Sequence, residues 1–324
     1  MGQSIVNFST GDNERATWGV LRDSGIHPLR SDFVDHRQLM AVYFNQREQF
    51  DEAIDGTPID AASVTFNAPI SQDIQLYCQG LNYAEHRAES GAPPDDAEEN
   101  LVFMKAASSI CGPDDTILRP HDCQLLDYEI ELGLVLKTDI VQATAVSEAE
   151  LSQYVGALVL CNDVSARDLM FGAPMLQWFR GKSQRTFCPT GPVLYLMEES
   201  DFEHLYALEL TLTLNGEVKQ QARTSQLIHK PAKTLSEISG FANLLAGDCL
   251  LTGTPGGILG GANLKVAMAI LLNFQNDAKR REKFTRAQQA RTRFLEPGDV
   301  LELSISTPDR AIDLGRQRNQ IAAA

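Results

Sequence analysis

At 324 residues, 43% of them hydrophobic, the chain is long enough to bury a substantial core in one large domain or two. A formal charge of −15 argues against nucleic acid as a general partner, because phosphate backbones are bound by basic surface. No stretch reaches the roughly 18 apolar residues of a membrane span, and the start lacks both the build of a signal peptide and, with Val6 in place of Ser or Thr, a myristoylation signal. The expectation is a cytoplasmic protein without membrane or nucleic-acid partners, its six scattered cysteines kept as free thiols.

In chain order, strand-like pieces at Ile5 to Phe8 and Thr17 to Leu21 and a helical stretch from Asp35 to Ala53 suit a small α+β N-terminal domain over 1–72. From there strands dominate, in a second domain over 73–324. Candidates are Leu76 to Leu81, Leu126 to Leu136, Val155 to Asn162, Val193 to Met197, Tyr206 to Leu214, Asp248 to Thr252 and Val300 to Ser306, separated by Gly, Pro and Asp. Asn215-Gly216 signals a tight hairpin turn.

The run Leu125-Leu126-Asp127-Tyr128-Glu129-Ile130-Glu131-Leu132 alternates three acids with apolar residues, which on one strand places Asp127, Glu129 and Glu131 on a common face. The ordinary account is a solvated strand face; the alternative is a row of oxygen ligands for a cation. The apolar run Val155 to Cys161 then ends in Asn162-Asp163, so Asp163 at the mouth of a buried strand would complete a set of three hard ligands with Glu129 and Glu131. Zinc is disfavoured, since the six histidines show no HExxH or HxxxH spacing and the cysteines no CxxC pair.

Seven blocks then carry a resemblance. Gly80-Leu81-Asn82-Tyr83-Ala84-Glu85-His86-Arg87-Ala88-Glu89, Phe103-Met104-Lys105, Asp127 to Leu132, Asn162 to Asp168, Gly181-Lys182-Ser183, Thr252-Gly253-Thr254-Pro255 and Glu296-Pro297-Gly298-Asp299 follow in order. From about residue 80 to 319 the chain resembles the fumarylacetoacetate hydrolase family. The resemblance implies a mixed β-roll with stacked sheets, of α+β class, and a homodimer that acts on acylpyruvates, β-diketo acids and related 2-oxo acids. It implies a divalent cation, Mg2+ with Mn2+ or Ca2+ as alternatives, on Glu129, Glu131 and Asp163. His86 and Glu89 match a lid dyad, the carboxylate orienting an imidazole that takes a proton from water. Lys182 matches a pocket cation for a substrate carboxylate or oxyanion, and Tyr83 and Thr254 match substrate contacts.

Several readings stand beside the resemblance. Without it, His86 and Glu89 read as a solvated helix face. The GKS string around Lys182 is no phosphate loop, because Leu176 stands where the first glycine is required. Arg167 and Asp168 read as buttresses of the strand end. The acidic segment 93–99 reads as a mobile lid. Two departures from the family pattern are Met170, where many members carry a Gln, and an insertion over 258–294. Within it an apolar stretch, Leu264 to Phe274, precedes a basic one, Lys279 to Arg293; the expectation is a packed helix followed by a solvated one, with a cap over the pocket as the alternative. The expected activity is metal-dependent hydrolysis of a carbon–carbon bond in an acylpyruvate from aromatic or alicyclic catabolism. Oxaloacetate-type decarboxylation, isomerase or hydratase chemistry on 2-oxo dienoates, and a non-catalytic binding role are the alternatives.

Overall fold

The computed structural model describes residues 1–324 except 12, 94–98, 173–174, 263–265, 267, 269–271 and 274, and the backbone alone of 13–15. Its main element is an 11-stranded mixed sheet. Along its path lie Gly25–Pro28, Asn13–Arg22, Gln3–Thr10, Cys188–Leu196, Val155–Asn162, Ile130–Leu136, Cys249–Leu251, Leu76–Gly80 and Leu101–Lys105, with Val64–Asn67 and Ile110–Cys111 attached at the side. Every residue of Ile130–Leu136 and Val155–Asn162 is buried, which is the signature of central strands covered on both faces.

A second sheet of five strands runs Glu217–Arg223, Glu209–Leu214, Val300–Ser306, Asp313–Ala323 and Ile117–Arg119. Here burial alternates, as in Val300–Ser306, so one face packs inward and the other meets solvent. Leu132, Leu134, Leu158 and Leu160 of the large sheet share one core with Leu210, Leu212, Leu301 and Leu303 of the small one. Gln317 ties the layers by donating its amide to the carbonyls of Leu160 (2.9 Å) and Pro189 (3.2 Å). On the opposite face, Val135, Ala157 and Val159 pack with Leu39, Met40, Tyr43 and Phe50 of the N-terminal helices. Each fully buried leucine contributes roughly 1.5–3 kcal/mol to holding the layers together. The result is the expected α+β architecture of stacked sheets.

The expected elements compare closely in the centre and less well elsewhere. Val155–Asn162 and Val300–Ser306 have the anticipated limits, and Asn215 (φ 52°) and Gly216 (φ 83°) form the anticipated left-handed turn between Glu209–Leu214 and Glu217–Arg223. The stretch read as one strand, Leu126 to Leu136, is two. Leu126–Asp127 pairs with Ser165–Ala166 in its own small ladder, and Ile130–Leu136 belongs to the large sheet. The helical stretch 35–53 is likewise two helices, His36–Asn45 and Arg47–Ala53, the first capped by Asp35, whose side chain accepts from the Gln38 amide. The strand Gln3–Thr10 hydrogen-bonds to Cys188–Leu196, so the large sheet runs across the division expected near residue 72.

Candidate active site

The site forms where Ile130–Leu136 and Val155–Asn162 begin and end side by side. Their register pairs Ile130 with Asn162, which brings Glu129 and Glu131 beside Asp163. One carboxylate oxygen from each of these three buried acids lies within 4.8 Å of the others, close enough to share a cation. Asp127 is not part of the group, contrary to the alternation argument. The break in the strand turns it away, and it accepts from the amides of Tyr128 (2.9 Å), Leu259 (3.0 Å) and Gly260 (2.9 Å) and from Arg167 Nε (2.9 Å).

Three cations neutralise the acids. Lys182 Nζ donates to Glu129 Oε2 (2.7 Å) and Asp163 Oδ2 (2.6 Å), and Arg167 pairs with both Asp127 and Glu129. The third is Lys105, to which sequence reasoning gave no role. Fully buried, its Nζ lies 2.5 Å from Asp163 Oδ1 and 2.9 Å from the carbonyl of Phe187. Its signal in the sequence was membership of the block Phe103-Met104-Lys105, which gives it neither role nor partner; in the fold it closes the strand Leu101–Lys105.

Four carboxylates thus face three fixed cations, and the imbalance falls on Glu131. Burial opposes ionisation of Glu129, but Lys182, Arg167 and His86 outweigh it and hold its carboxyl far below the usual range. Glu131 is the reverse case. Burial, then the charges of Asp163 and Glu129, push its pKa well above the normal value. One of its oxygens accepts from the Gly253 amide (2.7 Å) while Oε1 has no partner among the described residues. A buried orphan carboxylate oxygen costs free energy that a cation would recover. The donor set therefore fits a hard divalent ion, which would turn one net negative charge into one net positive and favour an anionic ligand.

Glycines bring the surrounding loops this close. Gly253 has φ +92°, and a Cβ there would come within 2.7 Å of Asn82 Cβ; Gly257 has φ +100°, and its Cβ would meet the Lys219 carbonyl oxygen at 1.9 Å. Both amides serve carboxylates, Gly253 that of Glu131 and Gly257 that of Glu89 (2.8 Å).

A cavity of about 260 Å³ opens over the group, with Glu129, Lys182, Arg167, His86 and Thr254 on its wall. His86 and Glu89 share the helix Ala84–Glu89 but do not hydrogen-bond to each other; among the described residues His86 Nδ1 and Glu89 Oε2 have no partner. Burial lowers the imidazole pKa to about 4, leaving it neutral at ordinary pH, and raises that of Glu89. Tyr83 is buried with an unpartnered hydroxyl, whose pKa is raised by burial and by the charge of Glu131. Thr254 Oγ1 accepts from Gln220 (2.9 Å), whose own carbonyl accepts from the Ile130 amide (3.0 Å).

The insertion differs from expectation. Its helix Asp277–Gln289 is no plain solvated face: Arg280, Phe284 and Gln288, four apart, are buried on one side, and Phe284 and Gln288 line the cavity. Arg281 docks on Asp168 (2.9 Å), and Gln288 pairs through its amide with both the N–H and the carbonyl of Gly261 (3.3 and 2.7 Å). Asp168 also accepts from the amides of Gln124 and Leu125, which makes it the buttress anticipated. The segments read as a lid, 93–99, and as an apolar stretch, 264–274, lie largely outside the described residues.

Comparison with known proteins identifies relatives in sequence and in fold. An oxaloacetate tautomerase, FAHD2A, mitochondrial, of Bos taurus is 36% identical over 199 residues, which are 61% of this chain and 60% of that protein. A fumarylacetoacetate hydrolase of Exiguobacterium antarcticum superposes with a TM-score of 0.75 at 28% identity, covering 99% of this chain and all of that one. A probable 2-hydroxyhepta-2,4-diene-1,7-dioate isomerase of Mycobacterium abscessus gives 0.73 at 28% identity over all of this chain and 99% of the other. Residues 75–322 match the family described as fumarylacetoacetate (FAA) hydrolase C-terminal, and the chain belongs to the fumarylacetoacetate hydrolase family.

Proposed function

We propose that this protein is a divalent-cation-dependent enzyme that hydrolyses a carbon–carbon bond in an acylpyruvate or related β-diketo acid. The observation that carries the reading is one cavity that brings together a neutral imidazole and a lysine over an acidic triad with an unpartnered oxygen. Glu129, Glu131 and Asp163 would hold the ion, magnesium or manganese before calcium. When bound, it supplies Lewis-acid polarisation to the oxygens of a 2-oxo acid.

The chain's own groups account for the remaining steps. Lys182 Nζ carries three protons and donates two to carboxylates, so the third is free for an oxyanion on the substrate. His86, neutral above about pH 4, accepts a proton from water as the water oxygen bonds to the distal carbonyl carbon. The bond between that carbon and the adjacent methylene breaks, its electron pair leaves as the pyruvate enolate, and the imidazolium returns the proton to carbon. Glu89, held by the Gly257 amide, has a second oxygen able to bond the imidazolium or the water. Tyr83 and Thr254 supply hydroxyls for the substrate's head.

A second reading is keto–enol tautomerisation of a 2-oxo acid such as oxaloacetate. It is favoured by the name of the 36% identical bovine relative and by buried Met170, an apolar group on the cavity wall where a water-directing Gln is common. Tautomerisation needs the base at carbon and no attacking water. The two readings part when magnesium-loaded protein is offered benzoylpyruvate and enol-oxaloacetate in water enriched in oxygen-18. Hydrolysis yields pyruvate and labelled benzoate; loss of the oxaloacetate enol without cleavage of either substrate supports the tautomerase instead. We further propose a homodimer, as the family resemblance implies, in each protomer of which segments 1–72 and 73–324 are joined by the large sheet. Free thiols at all six cysteines support a reducing cytoplasm as its location.

A further inference from the structure

The wall above the charged floor is aromatic. Phe103 lies 5.0 Å from Trp178 with the rings tilted, Trp178 lies 6.1 Å from Phe171, and Phe171 lies 5.9 Å from Phe284, all four lining the cavity. Lys182 Nζ sits 5.5 Å from the Phe103 ring, so floor and wall are continuous. Among the described residues the only cations on the wall are Arg167 and Lys182, and both are held by carboxylates at the floor. Against these described residues a second carboxylate at the far end of a substrate would lose its water without finding a charge partner among them.

Resting on the 2-oxo acid reading above, we infer that the substrate's distal group is uncharged and aromatic or alicyclic, and that Phe284 of the inserted helix Asp277–Gln289 is a specificity-determining residue. The helix is fixed for this purpose: Asn276 caps it, Arg281 anchors it to Asp168, and Gln288 clips it to Gly261 at the cavity rim. Phe284 is buried among these anchors with its ring on Phe171. Offset and tilted ring contacts of this kind recognise a third ring without a hydrogen bond.

The test is calorimetric binding to the magnesium-loaded full chain of three ligands that cannot be cleaved. Oxalate reports the floor alone, 4-phenyl-2-oxobutanoate adds a ring, and 2-oxoadipate adds a terminal carboxylate. The phenyl ligand should bind about tenfold or more tighter than 2-oxoadipate. Phe284→Leu should cut that advantage by roughly threefold to tenfold, the scale of one ring contact, and leave oxalate affinity within about twofold. Trp178→Leu, made at a partly buried ring, repeats the test should Phe284→Leu fail to fold. Equal or tighter binding of 2-oxoadipate, or an advantage untouched by both substitutions, overturns the inference while oxalate binding leaves the 2-oxo acid reading standing. If none of the three ligands binds, both fall.

Discussion

Glu131 and Asp127 are buried carboxylates four residues apart, yet the inner and outer parts of the site treat them oppositely. Asp127, in the short ladder beneath the rim loop, receives three amides and a guanidinium, and so fixes the loop at Leu259 and Gly260. Glu131, in the central strand, receives one amide and keeps an unpartnered oxygen beside Glu129 and Asp163. A carboxylate satisfied by the protein holds structure; one left short is a place for a ligand. The cavity repeats the contrast in another form, with charged groups at its floor and the rings of Phe103, Phe171, Trp178 and Phe284 on its wall.

The contrast is broken most sharply at the floor's proposed base. His86→Ala should lower turnover by roughly 10²–10⁴-fold, the usual scale for losing a general base, with metal affinity retained. Steady-state kinetics on whichever substrate is cleaved gives the value, and unchanged turnover would remove His86 from the mechanism. Glu131→Gln keeps an acceptor for the Gly253 amide while removing the charge. It should fold normally and lose on the order of 10²–10³-fold in kcat/KM, with activity partly restored by raised magnesium.

The same histidine predicts a stability effect. Its pKa lies near 4 in the folded chain against 6.5 for an ordinary imidazole, because burial opposes its charge. The neutral ring's stability is complete above pH 6.5 and is lost as pH falls toward 4, up to about 3 kcal/mol. His86→Gln should flatten the pH dependence of denaturation across that window; an identical slope in the variant would contradict the assignment. A smaller effect belongs to the rim. Asp127→Asn keeps the shape but weakens the hold on Arg167 and the loop, and should cost roughly 10–100-fold in kcat/KM, the range for partners that orient a ligand. Metal stoichiometry should not change, whereas loss of the metal would place Asp127 among its ligands.

How much of this was legible in the sequence follows the same division. Val155–Asn162 and Val300–Ser306 were readable because local patterns of apolar residues reflect layers that cover them. The acids Glu129, Glu131 and Asp163 were readable as candidates because a strand's period and end position are local facts. Alternation alone could not separate Asp127 from them, since the difference lies in amides more than 130 residues away. Lys105 escaped for the same reason, its partner Asp163 lying 58 residues on. Phe284 sits in a helix whose exposed side is dense in charge, so only the packed structure distinguishes its face from a solvated one.

The claim on which the rest depends is that Glu129, Glu131 and Asp163 hold one divalent cation. Manganese binding followed by the paramagnetic resonance signal of the free ion tests it directly, without reference to any substrate. The account predicts one ion per chain in the wild-type protein, displaced by magnesium, and a large loss of affinity in Glu131→Gln with its circular dichroism unchanged. Equal titration curves for the wild type and the variant, or no uptake by the wild type, would contradict it.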